Sequence, residues 1–181
     1  MSDRALTITA GVDKAIRRHG QETYPHECCG ALVGRDGGVT EIVALPNTTE
    51  EGPRRRFLVR PADYRLAERR ASELGGELLG FYHSHPDHPA RPSQYDLDHA
   101  WPTFAYIIVA VAGDGLARRS ADLSRQGADL SSHSAEGATA EGAKAGDMTV
   151  WYLKNDRSNF EEGSLQHGEN SHSNATPAVH G

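Results

Sequence analysis

The stretch GFYHSHP, at residues 80–86, places two histidines on a segment with the apolar and aromatic composition of a β-strand. Because side chains two residues apart on a strand project from the same face, His83 and His85 point together, and Pro86 ends the strand just beyond them. Two imidazoles that converge at the end of a strand are a plausible pair of zinc ligands. A lone His-x-His pair is more often ordinary polar surface, so the interpretation depends on the residues that follow.

The next ten residues, DHPARPSQYD at 87–96, predict a helix that begins after Ser93. A serine N-cap with an acidic residue three positions later is a capping box, and Asp96 lies where the helix dipole favours negative charge. Alone, this pattern describes an ordinary helix start. A loop of seven residues can return that helix to the end of the histidine strand, where Asp96 would be a third, anionic ligand. Three protein ligands and an open fourth position are typical of a catalytic zinc site.

A zinc hydrolase also needs a group that takes a proton from the metal-bound water. Glu27, in the segment YPHECCG at 24–30, is the candidate, because it lies just before a predicted strand. An isolated glutamate at such a position is more commonly a solvated loop carboxylate, and spacing alone does not separate the two interpretations.

Hydrophobic periodicity predicts a mixed α/β fold, a sheet flanked by helices, with a strand order that the pattern leaves open. An apolar face ahead of Gly20 predicts a first helix near 8–19. Pro61 in a first turn, followed by apolar residues at spacings of three and four, predicts a second helix that ends at Gly75-Gly76. The predicted strands are 31–33, 42–45, 57–59, 78–85, 106–111 and 148–153, and the first two are joined by a turn at 36–38.

Two segments are expected to contribute nothing to a core. Ala, Gly and Ser fill 19 of the 35 positions at 113–147, which predicts a flexible insertion. The polar stretch 163–181 is rich in helix and strand breakers and predicts a disordered tail. The remaining residues, 1–112 and 148–162, have the size of one catalytic domain.

The composition argues against several classes of function. Lys and Arg number 19 against 25 Asp and Glu, and the net charge of −6 makes nucleic acid an unsuitable partner. The sequence has no run of 18 apolar residues and no apolar N-terminal segment of the secretory type, so we expect a cytoplasmic protein without a membrane partner. The only cysteines, Cys28 and Cys29, are adjacent and do not close a useful disulfide loop, so we expect both to be buried thiols.

Taken together, P-x-E-x-C-G at 25–30, H-S-H-P at 83–86 and S-x-x-D at 93–96 resemble the JAMM (MPN+) metalloprotease family. The chain matches the H-x-H-x7-S-x2-D pattern of that family at every fixed position, and Glu27 matches its upstream glutamate. The resemblance covers roughly residues 8–112 and resumes at 150–153, and it implies the MPN fold.

The resemblance also implies a role for each residue. It implies that His83, His85 and Asp96 bind Zn²⁺ and leave a fourth position to water. It further implies that Glu27 deprotonates this water and later protonates the leaving amine, while Ser93 donates a hydrogen bond to the developing oxyanion.

The residues A-R-P-S at 90–93 resemble short prokaryotic members of the family, which are associated with ubiquitin-like sulfur carrier proteins ending in Gly-Gly. The activity implied is a zinc-dependent cleavage of the peptide or isopeptide bond after that Gly-Gly, for example with release of cysteine. Two glycines suit such a site because they can thread a narrow channel as an extended strand. The insertion at 113–147 departs from the short members.

Two other functions remain open at this point. A non-catalytic MPN module would bind a partner with a Gly-Gly tail without cleaving it. A RadC-like protein would keep the metal and act in DNA repair, but such relatives usually have a glycine where this chain has Asp87 and His88. We expect these two side chains to be solvated, and at most one of Asp98 and His99 could face the metal.

Overall fold

The computed structural model describes residues 4–47, 59–113 and 142–168, which form one sheet with helices on both faces. In chain order the elements are β1 Ala5–Thr9, α1 Ala10–Thr23, β2 Cys29–Arg35, β3 Gly38–Leu45, α2 Pro61–Glu73, β4 Glu77–Pro86, α3 Gln94–His99, β5 Ala105–Ala112, β6 Lys144–Leu153, β7 Phe160–Glu162 and β8 Ser164–Gly168. Across these residues the strand order is β7-β6-β5-β4-β2-β3-β1-β8. None of these three helices has the length and apolar character needed to cross a membrane.

Strand β4, which carries both histidines, lies near the middle of the sheet. It pairs antiparallel with β2 and parallel with β5, so hydrogen-bonded neighbours hold it on both sides. The register places His83 opposite Cys29 of β2 and opposite Ile108 of β5. As a result, the start of β2, and the glutamate just before it, lie beside the end of the histidine strand.

The two faces of the sheet have different coverings. Tyr82 packs with Val12 and Ile16 of α1 in one apolar cluster, whereas Phe81 packs with Ala67 of α2 and Leu97 of α3 in the other. Because side chains alternate along a strand, the two histidines share the face of Phe81 and therefore lie under α2 and α3.

The predicted α/β class with flanking helices is confirmed, and so is the second helix, which begins at Pro61. The first helix begins later than predicted, at Ala10, because Thr9 caps it by accepting a hydrogen bond from Val12 N at 3.2 Å. The residues before Ala10 form β1, which the sequence analysis does not predict. Leu6 and Ile8 alternate inward as in a strand, and the helix predicted near 8–19 includes the second of them.

The boundaries of the insertion and of the tail are wrong where the structure describes them. Strand β6 begins at Lys144, inside the predicted insertion, and extends the sheet beyond β5. Strand β8 pairs parallel with β1 over five residues, inside the predicted tail, and β7 also follows the strand that was expected to be last. Polar β8 is held mainly by backbone pairing, which has no hydrophobic signature in sequence. Most of the predicted insertion, most of the tail and residues 57–58 of a predicted strand lie outside the described residues.

One glycine is required for the contact between β4 and β5. A Cβ built on Gly80 would lie 1.9 Å from the carbonyl oxygen of Ala105, a backbone atom that cannot move aside without disturbing the strand pair.

We expect Gly80→Ala to lower the free energy of unfolding by about 3 kcal/mol, measured by denaturant titration. The control is Gly11→Ala, because a Cβ at this exposed position in α1 meets nothing closer than Thr9 Oγ1 at 3.7 Å. That control should be neutral or stabilising by up to about 1 kcal/mol, and equal effects of both substitutions would contradict the packing described here.

Candidate metal centre

Three side chains that could bind a metal converge where β4 ends and α3 begins. Nε2 of His83 lies 3.0 Å from Nε2 of His85, and Asp96 places Oδ1 3.4 Å from the first nitrogen and Oδ2 3.6 Å from the second. The candidate ligand atoms all lie within 4.8 Å of one another, and all three residues are buried. The structure therefore brings together the three residues that the sequence predicts as metal ligands.

The start of helix α3 orients the carboxylate of Asp96. The Ser93 backbone N donates to Asp96 Oδ2 at 2.6 Å, and the Ser93 hydroxyl donates to the same oxygen at 2.7 Å. That hydroxyl also accepts from the Asp96 backbone N at 3.2 Å, which completes the predicted capping box. The single hydroxyl proton of Ser93 is thus directed at Asp96 in this structure.

A carbonyl group determines which nitrogen of His85 can bind a metal. Nδ1 of His85 lies 2.9 Å from the carbonyl oxygen of Pro89, and because a carbonyl only accepts, Nδ1 carries the proton. In the neutral ring, Nε2 then presents its lone pair to His83 and Asp96. The loop that supplies this carbonyl is tied to β6, since the next carbonyl, that of Ala90, accepts from Thr149 Oγ1 at 2.5 Å and from Trp151 Nε1 at 3.3 Å.

The converging atoms favour a cation. Two imidazole lone pairs that face each other at 3.0 Å repel unless a proton or a metal ion lies between them. Burial lowers the pKa of His83. For Asp96, burial opposes ionisation, but the neighbouring imidazoles, His83 first, and the Ser93 backbone N–H hold the pKa of the carboxyl well below its usual range. Burial also lowers the pKa of His85, but the Asp96 carboxylate acts in the opposite direction, and the net pKa lies above its ordinary value.

Glu27 is buried beside this cluster, with 4% of its surface exposed, and is not the solvated carboxylate of the alternative interpretation. Burial raises its pKa to about 8; the charge of His85 acts in the opposite direction and that of Asp96 adds to the rise. The strand register supports the same placement, because Cys29, two residues after Glu27, lies opposite His83. A divalent cation at the cluster would favour the ionised form of Glu27.

Two hydrogen bonds fix the backbone next to Glu27. Cys28 N donates to the Ser84 hydroxyl at 2.9 Å, and Ser84 N donates to the Cys28 carbonyl at 3.1 Å. Ser84 stands between the two histidines and points to the opposite face of the sheet. Sequence reasoning missed this role, although the alternation of the strand gives its direction.

Asp87 is exposed, as expected, but its carboxylate also makes hydrogen bonds within the chain. It accepts from the Tyr24 hydroxyl, and its Oδ1 also accepts from Gly113 N at 3.4 Å.

Asp98 and His99 lie outside the cluster: Asp98 accepts from Gln94, and His99 Nδ1 lies 2.8 Å from the Tyr95 carbonyl. Cys28 and Cys29 are buried thiols without a disulfide, as expected, and burial raises the pKa of Cys28 to about 11.

The donor set fits a zinc ion in a catalytic setting. Imidazole nitrogens suit Zn²⁺ and other late transition metals, and a carboxylate oxygen completes a set of three protein ligands. The supporting contacts from Pro89 to His85 and from Ser93 to Asp96 are of the kind that orient metal ligands.

Comparison with known proteins agrees with this geometry. A family model described as prokaryotic homologs of the JAB domain matches residues 9–123, a range that contains Glu27 and the whole cluster. The chain is 31% identical over 120 residues to a desampylase of Haloferax volcanii, which covers 62% of this chain and 86% of that protein. It is 32% identical over 108 residues to a probable TtuB-protein conjugate cleaving protease of Thermus thermophilus, which covers 60% of this chain and 72% of that one. A solution structure of a protein from Salinibacter ruber is similar at 32% identity and a TM-score of 0.59, covering 97% of each chain.

We expect Zn²⁺ to stabilise the metal-free protein, because the ligands converge only in the folded state. At a free concentration 100 times the Kd, binding would add about 2.7 kcal/mol to the free energy of unfolding, which thermal unfolding with and without metal measures. Asp96→Asn should lower the affinity by at least about tenfold, since it removes the anionic ligand. Asp98→Asn is the matched control, two residues later and exposed, and should bind as the unsubstituted chain does. Equal affinities of the two variants would contradict the assignment of Asp96.

Proposed function

Since the chain belongs to the family of prokaryotic homologues of the JAB domain, we propose that it is a zinc-dependent metallopeptidase. Its substrate would be a ubiquitin-like sulfur carrier protein that ends in Gly-Gly, and it would hydrolyse the peptide or isopeptide bond after that tail. The observation that carries the proposal is the convergence of His83, His85 and Asp96 beside a buried glutamate.

The cluster has the composition of a reaction centre rather than of a structural metal site. It supplies three protein ligands, and no fourth His, Cys, Asp or Glu joins the group among the residues that the structure describes. A three-ligand zinc site leaves a position for water or substrate, whereas structural sites are closed by four protein ligands. When bound, zinc supplies Lewis acidity, which polarises a carbonyl group and lowers the pKa of a water molecule to about 7.

Glu27 is the proposed general base. It takes a proton from the attacking water while the water oxygen forms a bond to the carbonyl carbon of the second glycine. It then gives the proton to the leaving nitrogen as the C–N bond breaks, so the same carboxyl serves both steps. Its burial favours this role because few water molecules compete for the proton.

Ser93 is the proposed donor to the carbonyl oxygen as negative charge develops there. Its hydroxyl now donates to Asp96 Oδ2, so this role requires the hydroxyl to turn its one proton towards the substrate. The Ser93 backbone N keeps its own bond to Asp96, which leaves the carboxylate held while the hydroxyl turns.

A Gly-Gly tail is the proposed specificity element. The candidate reaction centre is buried under α2 and α3, and two residues without side chains can approach such a centre in extended form. One similar protein is named for the cleavage of protein conjugates, which supports a bond to a protein or to a small amine at the carboxyl end of the carrier. Release of cysteine would place the reaction in the synthesis of cysteine or of another sulfur metabolite.

The cytoplasm is the proposed location. Both cysteines are free, buried thiols, which agrees with a reducing compartment.

Substitution of Glu27 separates chemistry from metal binding. We expect Glu27→Gln to keep about one zinc per chain and to lower kcat by about 10²–10⁴, because the amide cannot accept the proton. His83→Ala should lose both zinc and turnover. Metal analysis and steady-state kinetics measure these effects, with Glu41→Gln, on an exposed part of β3, as the control that changes neither. Full turnover by Glu27→Gln would remove Glu27 as the base, and absence of zinc from the carefully purified chain would favour the non-catalytic binding module.

The bond that is cleaved can be identified by mass spectrometry. Carriers extended beyond Gly-Gly by cysteine or by a short peptide should be shortened to the Gly-Gly end, and a chelator should abolish the reaction. The same carriers with Ala-Ala in place of Gly-Gly are the matched control and should be cleaved at least tenfold more slowly. Equal cleavage of both sets would contradict the proposed specificity.

A further inference from the structure

A second set of hydrogen bonds joins three chain segments next to the metal centre. The Tyr24 hydroxyl donates to the carboxylate of Asp87, with distances of 3.2 Å to Oδ1 and 3.0 Å to Oδ2. Gly113 N donates to Oδ1 of the same carboxylate at 3.4 Å, and Asp87 N donates to the Val111 carbonyl at 2.7 Å. Tyr24 ends α1, Asp87 follows β4, and Gly113 follows β5.

These contacts and the bonds between Ser84 and Cys28 attach both ends of the segment that bears Glu27 to β4 or to the residue that follows it. Tyr24 lies three residues before Glu27 and bonds to Asp87, two residues after His85. Cys28 lies one residue after Glu27 and bonds to Ser84, one residue before His85. The general base is therefore held between two attachments that flank a metal-binding histidine.

We propose that Tyr24 and Asp87 are positioning residues, which hold the loop of Glu27 against the end of the histidine strand so that its carboxyl faces the metal centre. The inference rests on the proposed function and deepens it, since neither residue touches the reacting atoms. Strand β4 and helix α3, which carry the proposed ligands, keep their other contacts when the hydrogen bond between Tyr24 and Asp87 is lost. This bond therefore acts on the base and not on the metal.

The backbone around the pair is adapted to the contact. Asp87 has a φ of +58°, a left-handed conformation that aspartate tolerates better than most residues with a side chain. A Cβ on Gly113 would lie 2.7 Å from the Tyr24 hydroxyl oxygen, so a side chain there would displace the hydroxyl. Tyr24 itself is buried, with 2% of its surface exposed, although Asp87 lies at the surface.

Small displacements of a catalytic group have large effects on rate. A misplacement of about 1 Å, caused away from the reacting atoms, can lower a rate by about 10²-fold. Loss of the Tyr24 hydroxyl would release one of the two attachments to β4 and its end, while the bond from Asn47 Nδ2 to the Glu27 carbonyl, at 3.0 Å, would remain. The expected signature is a fall in kcat with little change in KM and no change in zinc content.

The first test is Tyr24→Phe, which removes only the hydroxyl, in the zinc-loaded full chain. We expect kcat to fall about 10- to 100-fold, KM to stay within twofold, and zinc to remain at about one per chain. The matched control is Tyr82→Phe, because Tyr82 is equally buried in the same apolar cluster and its hydroxyl is also bonded, lying 2.8 Å from His19 Nδ1 of α1 instead of contacting the loop after β4. This control should lower thermal stability to a similar extent and leave kcat unchanged.

Asp87 supplies the rescue experiment. Asp87→Asn keeps an acceptor oxygen and a residue that tolerates positive φ, so it should retain most of the wild-type kcat. Asp87→Ala loses the acceptor and should match Tyr24→Phe. If Asp87→Ala is too unstable to purify, Gly113→Ala tests the same contact by steric displacement of the hydroxyl.

A measurement without turnover separates this inference from the proposed function. In the metal-free protein, the amides of His26 and Cys28 are hydrogen-bonded, to the Thr23 carbonyl and the Ser84 hydroxyl. We expect Tyr24→Phe to speed their hydrogen exchange at least tenfold, with Tyr82→Phe as the reference for a general loss of stability. Unchanged exchange in Tyr24→Phe would overturn the inference even if no carrier is cleaved, and faster exchange with unchanged kcat would overturn it as well. Inactivity of the wild-type chain alone would count against the proposed function.

Discussion

Two imidazole nitrogens lie 3.0 Å apart, with a carboxylate 3.4 and 3.6 Å away, and the other contacts of the candidate site are arranged around this group. Such a group of acceptors is unfavourable when buried unless positive charge compensates it. The neighbouring contacts orient these atoms towards one another. The Pro89 carbonyl accepts a hydrogen bond from His85 Nδ1, and the Ser93 hydroxyl donates to one oxygen of Asp96. The surrounding contacts thus orient the candidate ligand atoms towards one another, which is the preorganisation that a metal site needs.

The central position of β4 makes this arrangement rigid. A strand paired on both sides cannot tilt independently, and its two faces are covered by different helices. The chemistry is confined to one face, where His83 and His85 project, while Tyr82 and Ser84 on the other face pack against α1 or hold β2. Substitutions on the α1 face therefore act mainly on stability, except where a hydrogen bond passes to the segment that bears Glu27.

The parts that could be predicted from the sequence are those fixed by local spacing. The two-residue period of a strand gives the shared direction of His83 and His85, and the capping box gives the position of Asp96 in α3. Glu27 needed the family resemblance, because no local rule relates it to residues more than 50 positions away. The pairing of β8 with β1 was missed for a related reason: it joins the backbones of two segments over a long sequence separation.

The same limit explains why the hydrogen bonds of Asp87 within the chain are not predicted, although its exposure is. Its position in a polar, surface loop gives no sign that a buried tyrosine 63 residues earlier donates to it. A proposed base that comes from a different segment than the candidate ligands can be accurate only if the two segments are tied together. Two ties of the segment that bears Glu27, at Ser84 and at Asp87, are made to the histidine strand or its end. One strand thereby positions two of the three candidate metal ligands and the segment of the proposed base, although the sequence encodes them more than 50 residues apart.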